Sequence, residues 1–400
     1  MENSVEDGHF IIQDLPNLIT PHMPCDQSKI VKVNYSRARY LDEYGSVYLR
    51  LKIELVNTTT GENWMLSTIA KTLPKYSVTH DIFKIRAIFK NQVGLYTTAR
   101  NTIDVYLKGK GVKQGEDVML RSFGGRINLN GSDDIDQNAV LVTTDPKCSF
   151  AGFKSVHRRT GFDFESTKAI LLALAKFHAG TLALKTDKFK EFRSKVRPYL
   201  NECGSVLEGN NFEQIARIHM ISALKDSGFA NDIVDKAVRS FENKVSTEEA
   251  DHWATFTHSN LWVKNILVKY DKKGQPLDVK LKGFQEAQYA SALRDLLFFL
   301  FTSVQLVVLK QHLPDLISFY YDQFHQVLNK LEVSCDHFLR DSFNEELSRI
   351  TSDGEFCKIV CALYPILGND MHSDGSSLKD PLHITRLCFI VKEFIARDWL

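Results

Sequence analysis

The sequence predicts an α+β protein in two parts, a smaller N-terminal part built on an antiparallel sheet and a larger, mainly helical C-terminal part. Three observations lead there. Val47, Leu49, Leu51, Ile53 and Leu55 alternate with Tyr48, Arg50, Lys52 and Glu54, the period of a half-buried strand. From about Asp163 onward, apolar residues recur at helical spacing. Between His258 and Gln285, two short β runs flank a Gly/Pro turn and interrupt the helices. At 400 residues the chain is long enough to bury a substantial core in each part.

Taken in order, "NTTTGEN" supplies a turn after the first strand, and "WMLSTIAK" reads as the returning strand, ending at Lys71. A helix follows with Phe83, Ile85, Phe89, Val93 and Tyr96 on its apolar side. Between about Lys108 and Gly131 the chain is rich in Gly, Lys and Asp. Its "KGKGVKQG" fits neither GxGxxG nor GxxxxGK[ST], so a solvated loop is expected. "AVLVTTD" is strand-like and ends at Asp145. Asp163 is the expected N-cap of a helix whose stripe is Ile170, Leu171, Leu174, Ala175, His178 and Leu182, with His178 read as a satisfied core histidine. "LLFFLFTSVQLVVL", Leu296 to Leu309, falls short of the roughly 18 apolar residues of a membrane span and is expected to form one buried helix. The expected boundary puts residues 1–142 in the first part and 143–400 in the second.

Fifty basic residues against 49 acidic ones give a formal charge of +1, so no global field draws the chain to nucleic acid or anionic membrane. The acidic start "MENSVEDGHF" lacks the order of a secretory signal. Seven cysteines without framework spacing then fit reduced thiols and a cytoplasmic location. On that reading the triplets at Asn34 and Asn57 never meet the glycosylation machinery. Cys357 and Cys361 lie one helical turn apart, with no second Cys/His pair at zinc spacing, and are read as a core pair.

The chemistry-bearing stretch is "HSNLWVKN", His258 to Asn265, followed by "ILVKY", "DKKGQPLD" and "VKLKGFQ". If the two β runs pair antiparallel, Asn265 and Gly283 come to the same end of the hairpin, beside the His258 loop. Phosphoryl transfer uses such a place: a base orients the attacking hydroxyl, while an amide and a carboxylate hold magnesium against the phosphates.

These residues, with "RDLLFFLF" beyond them, resemble the ecdysteroid-kinase-like (choline-kinase-like) family, whose pattern is roughly HGDxWxxN, a β-hairpin, DFQ and a DL-rich helix. "IAKTLP", "FKNQVGLY", "LAKFHA" and "YGSVYLRL" resemble further blocks of that family in the same order, so the likeness runs from about residue 40 to about 310. The resemblance implies a two-lobed protein-kinase-like fold of the aminoglycoside-phosphotransferase kind, with ATP as nucleotide. It also implies nucleotide contacts at Ser46, Lys71 and Gln92, catalytic positions at His258, Asn260 and Asn265, and metal positions at Asn265 and Gly283. Asp295 matches the DL motif and would hold loop backbone.

Several matched positions depart from the family's pattern. Asn260 stands where the family has its catalytic aspartate, and a neutral amide cannot accept a hydroxyl proton; loss of a general base removes about 10²–10⁴ in rate. Ser259 replaces the preceding glycine. Gly283 replaces the metal-binding aspartate of DFQ and has no side chain to offer a hard cation that wants oxygen ligands, so magnesium binding is disfavoured. Gln92 replaces the glutamate that pairs with the lysine, and Leu41, Asp42 and Glu43 stand where a glycine is expected before "YGS". Glu286 and Asp145 could restore a carboxylate, although solvated or capping roles are expected for both. Lys264 is read as a surface lysine, and Trp262, Ile266 and Val268 as core. The expectation is a catalytically degenerate pseudokinase that acts by binding a small molecule or a protein partner. The alternative is an active kinase phosphorylating a hydroxyl of an ecdysteroid-like alcohol.

Overall fold

The computed structural model describes residues 11–23, 27–38, 46–73, 85–112, 118–146, 148, 152–201, 211–241, 252–367 and 380–400. The chain divides into two compact units, Met1–Asp104 with Met119–Gly152, and Val105–Val118 with Phe153–Leu400. The division is not a single cut, because 105–118 belong with the larger unit.

The first unit is organised by five strands: β1 (Ser28–Arg37), β2 (Val47–Asn57), β3 (Asn63–Thr72), β4 (Ser122–Arg126) and β5 (Val140–Thr144). They form one antiparallel sheet in the order β1-β2-β3-β5-β4. The alternation read from the sequence sets its two faces. Tyr48 pairs with Lys71 and Lys71 with Leu141, so these three share one face, whereas Leu49, Ala70 and Val142 share the other. The second face is closed by Ile12 and by helix α1 (Leu15–Ile19), with Phe123 in the same core. Gly124 permits that closure: its φ is 134°, and a Cβ there would overlap the Leu18 carbonyl. On the Lys71 face lies α2 (Ile85–Gly94), which buries Ile85, Phe89 and Val93 and runs on through a π-turn (Leu95–Ala99) into α3 (Arg100–Gly109). Phe83, expected on this helix, lies outside the described residues, as do Leu41, Asp42 and Glu43. β1 and β4 carry no clear signal in the sequence reading, and β4 falls within the stretch expected to be loop.

In the larger unit, α4 (Phe164–Asp187) starts where Asp163 caps it, the side chain accepting from the Ser166 N–H at 2.8 Å. Its predicted stripe is buried. This helix is long and apolar enough to cross a membrane, but 78% of the qualifying window is buried inside the protein, as in a core helix. The remaining helices are α5 (Phe189–Lys195), α6 (Asn211–Asp226), α7 (Asn231–Ser240), α8 (Ala292–Ser303), α9 (Leu306–Lys330), α10 (Arg340–Ile350), α11 (Phe356–Leu367) and α12 (Pro381–Ala396). Short strands β6 (Phe153–Lys154), β8 (Ile266–Tyr270) and β9 (Pro276–Leu281) pair antiparallel, and β7 (Ala254–Thr257) pairs with β10 (Gln288–Ser291).

The apolar run Leu296–Leu309 is not one helix, contrary to expectation. It breaks at Val304–Gln305, where the Phe162 N–H donates to the Ser303 carbonyl at 2.8 Å and the Gln305 N–H donates to the Phe162 carbonyl at 3.0 Å. Backbone groups of a distant segment replace the intrahelical bonds there, which apolar continuity alone does not encode.

Candidate functional site

Each unit carries part of the predicted site. In the first unit, Lys71 is buried on β3, and its Nζ donates to Gln92 Oε1 at 2.9 Å. The ammonium also lies 5.7 Å from the Tyr48 ring centroid and 5.9 Å from that of Phe89. Gln92 offers the ammonium a neutral amide, and a charge-assisted bond to glutamate would be roughly twice as strong. Ser46 is buried just before β2, two residues ahead of Tyr48. Asp145 is buried rather than solvated. Its Oδ2 accepts from Arg50 Nε at 2.6 Å and from Ser67 Oγ at 3.3 Å, and the residue is buried. It therefore ties β2 and β3 together.

In the larger unit, the hairpin of β8 and β9 pairs Ile266 with Leu281, which draws Asn265 and Gly283 to one end, as the spacing predicts. The loop from His258 hangs over a buried frame. Asp295, on the first turn of α8, accepts the His258 N–H at 2.6 Å through Oδ2 and the Ser259 N–H at 2.7 Å through Oδ1. His178 Nε2 meets the same Oδ2 at 3.2 Å, and Tyr320 OH meets His178 Nδ1 at 2.8 Å. Burial pushes the Asp295 carboxyl up, but the His178 hydrogen bond, the neighbouring imidazoles and the His258 amide outweigh it and hold the group below the usual carboxylate range. Ionised Asp295 thus fixes the loop's backbone, and His178 is the satisfied core histidine its stripe suggested.

Both ring nitrogens of His258 are engaged locally. Nε2 donates to the Lys282 carbonyl at 2.9 Å, Nδ1 accepts from the Asn260 N–H at 3.2 Å, and burial lowers the imidazole's pKa. His258 therefore positions the loop and carries no spare nitrogen for proton transfer. Ser259 takes a left-handed backbone, φ 63°, which is uncommon for a residue with a Cβ and explains why a glycine suits this place in the resemblance.

At the tip, the residues face one another. Asn265 Nδ2 donates to the Asn260 carbonyl at 2.9 Å, and Asn260 Nδ2 donates to Glu286 Oε1 at 2.9 Å. Glu286 is therefore not merely solvated: its carboxylate reaches the position where the resemblance puts the base, the less expected of the two roles the sequence reading gave it. Gly283 has φ 84°, and a Cβ built on it would lie 2.6 Å from Asn265 Oδ1. The asparagine amide fills the space in which an aspartate side chain would begin. Lys264 is exposed, with Nζ 5.7 Å from the Trp262 ring centroid, while Trp262, Ile266 and Val268 are core.

The two positions that the resemblance gives to a metal are poor in donors. Gly283 supplies no side-chain oxygen, Asn265 one neutral amide, and among the described residues no group of three or more His, Cys, Asp or Glu side chains could hold a metal ion. Cys357 and Cys361, with Sγ atoms 3.9 Å apart, stand on α11 without further ligands from that set.

The model of the ecdysteroid kinase-like family matches residues 40–333. The chain belongs to the ecdysteroid kinase-like family. Among solved structures, choline kinase from Cryptosporidium parvum is similar over 92% of this chain and 91% of its own, at 7% identity and a TM-score of 0.42. No curated protein matches the sequence. As an ecdysteroid kinase-like protein, the chain is kinase-like, with an antiparallel sheet in its first unit and a helical second unit.

Proposed function

We propose that this ecdysteroid kinase-like protein is a pseudokinase, which binds a small molecule or a protein partner and does not carry out magnesium-dependent phosphoryl transfer. The observation that carries this reading is the contact between Gly283 and Asn265. The carboxylate is absent, and its space is taken by the neighbouring amide, so the tip is repacked rather than left open. Asn260 adds to it, because its amide is a donor to Glu286 and cannot act as a base. Nucleotide, where it binds, is held through Lys71 without a metal bridge. Localisation in the cytoplasm, without nucleic-acid or membrane partners, accords with the balanced charge.

Thermal melting with ATP, with and without magnesium, tests this. The expected result is that magnesium adds nothing to any stabilisation by ATP. A large magnesium-dependent rise in melting temperature would overturn the reading, since a bound ligand stabilises by about 2.7 kcal/mol at 100-fold its dissociation constant.

The Asn260–Glu286 contact favours a second reading, an active kinase for an alcohol such as an ecdysteroid, in which Glu286 receives the hydroxyl proton. Phosphate transfer from ATP by the unaltered chain, lost in Glu286→Gln, would establish this second reading in place of the first.

A further inference from the structure

The first unit holds a cavity of about 220 Å³ that plays no part in the reading above. Strand alternation locates it. Val47, Leu49, Thr72 and Val140 line it, and these are the sheet positions that point away from Tyr48, Lys71 and Leu141. The cavity therefore opens on the sheet face opposite the Lys71–Gln92 pair. Ile12, from the N-terminal segment, contributes another apolar wall.

The lining also includes one cation, Arg126, and the polar residues Gln137 and Asn138 beside it. Its guanidinium is held in place by two backbone carbonyls: Nη2 donates to the Gln13 carbonyl at 2.6 Å and Nε to the Asn138 carbonyl at 3.1 Å. Burial depresses the Arg126 pKa, with the Asp14 and Asp136 carboxylates acting the other way. A partly desolvated, pre-oriented guanidinium is a strong donor to a carboxylate. The two acidic neighbours disfavour a ligand with more than one negative charge. Size narrows the choice further. A cavity of about 150 Å³ accommodates benzene, and sites for drug-sized ligands start at about 300 Å³.

We propose that this cavity binds a small monocarboxylate with a compact apolar body, of the arylcarboxylate class, its ring against Leu49 and Val140 and its carboxylate on Arg126. The site is independent of the pseudokinase reading, because it lies on the other face of the sheet.

Titration of the full chain with benzoate, by calorimetry or ligand-observed NMR, tests it, with benzyl alcohol as the uncharged probe. Saturable benzoate binding is expected. Arg126→Gln should weaken benzoate about ten-fold or more while changing benzyl alcohol by less than about two-fold. Val47→Phe, which fills the cavity with a side chain suited to a strand, should abolish both. If that variant does not fold, Thr72→Leu serves as the filling change. Excess ATP should leave the benzoate affinity unaltered. Absence of saturable benzoate binding at millimolar concentration, indifference to Arg126→Gln, or displacement by ATP would each overturn the proposal.

Discussion

Beneath the loop at His258, Asp295 accepts the His258 and Ser259 amides and is held in turn by His178, which Tyr320 supports; at the loop's tip, Asn260 and Gly283 stand where the resemblance puts carboxylates, beside the amide of Asn265. The first set is buried and fully partnered, so altering any member leaves charges or donors stranded in a low dielectric. The second set is made of neutral groups that bond to one another and to Glu286, and its members can change without stranding a buried charge. A frame and a reaction centre can thus part company: the forces that hold the loop's shape do not depend on the groups that would use it.

The largest effect should come from breaking the frame. Asp295→Ala leaves the His258 and Ser259 N–H groups and His178 Nε2 without their acceptor, and should destabilise the larger unit by about 3–5 kcal/mol, measured by denaturant unfolding. A loss below about 1 kcal/mol would erase the distinction between frame and tip.

Acid should load a buried imidazole whose neighbouring carboxylate does not offset its burial. His383, on the first turn of α12, is buried and its pKa is lowered to about 4, chiefly by burial and then by His219, with Asp380 opposing. Its folded value lies below the unfolded 6.5, so the unfolded chain takes up the proton first. Stability is then present above pH 6.5 and is lost as pH falls toward 4, by up to about 3 kcal/mol. Asp295, held below the usual carboxylate range, should stay ionised through that window, while His258, also lowered by burial, adds to the loss in the same direction. Unfolding followed from pH 7 to 4 in the native chain and in His383→Leu checks this, the variant showing the flatter profile.

The division between frame and tip also marks what could be read in the amino-acid order. The hairpin of β2 and β3 was legible because period-2 alternation runs unbroken from Val47 to Leu55. Asp163 as a cap, the stripe of α4, and Asp295 as a support for loop backbone were legible because each follows from local spacing or from the matched blocks. β1 was hidden because its pairing register slips between Ile30 and Lys32, which breaks the alternation, and most of this edge strand is solvated. β4 was hidden because "SFGGR" reads as turn, whereas the first glycine there serves to admit the Leu18 carbonyl. Contacts set by tertiary approach, such as Phe162 at the break before α9 or Glu286 on Asn260, leave no periodic trace.

A smaller change tests how the tip is packed. Gly283→Asp places a Cβ in a left-handed backbone, costing about 1–2 kcal/mol, and pushes on the Asn265 amide besides. Asn265→Ala in the same chain should recover about 1 kcal/mol of that loss, a coupling read from a double-mutant cycle of unfolding free energies. Additivity of the two changes would mean that Asn265 does not occupy the aspartate's space.

The smallest expected effect probes the far end of the frame. Tyr320→Phe removes the hydroxyl at His178 Nδ1 and keeps the ring, so the stability loss should be about 1 kcal/mol. Its value lies in the second readout. Tyr320 touches neither His258 nor Ser259 in the chain of bonds; it reaches them only through His178 and Asp295. If the hydroxyl keeps the proton of His178 on Nε2, where it donates to Asp295, its loss frees the imidazole to place that proton on Nδ1 instead. Asp295 would then face a nitrogen lone pair and loosen its hold on the loop. Amide exchange at Ser259 should accelerate in Tyr320→Phe, and unchanged exchange there would confine the hydroxyl's role to the packing around α9.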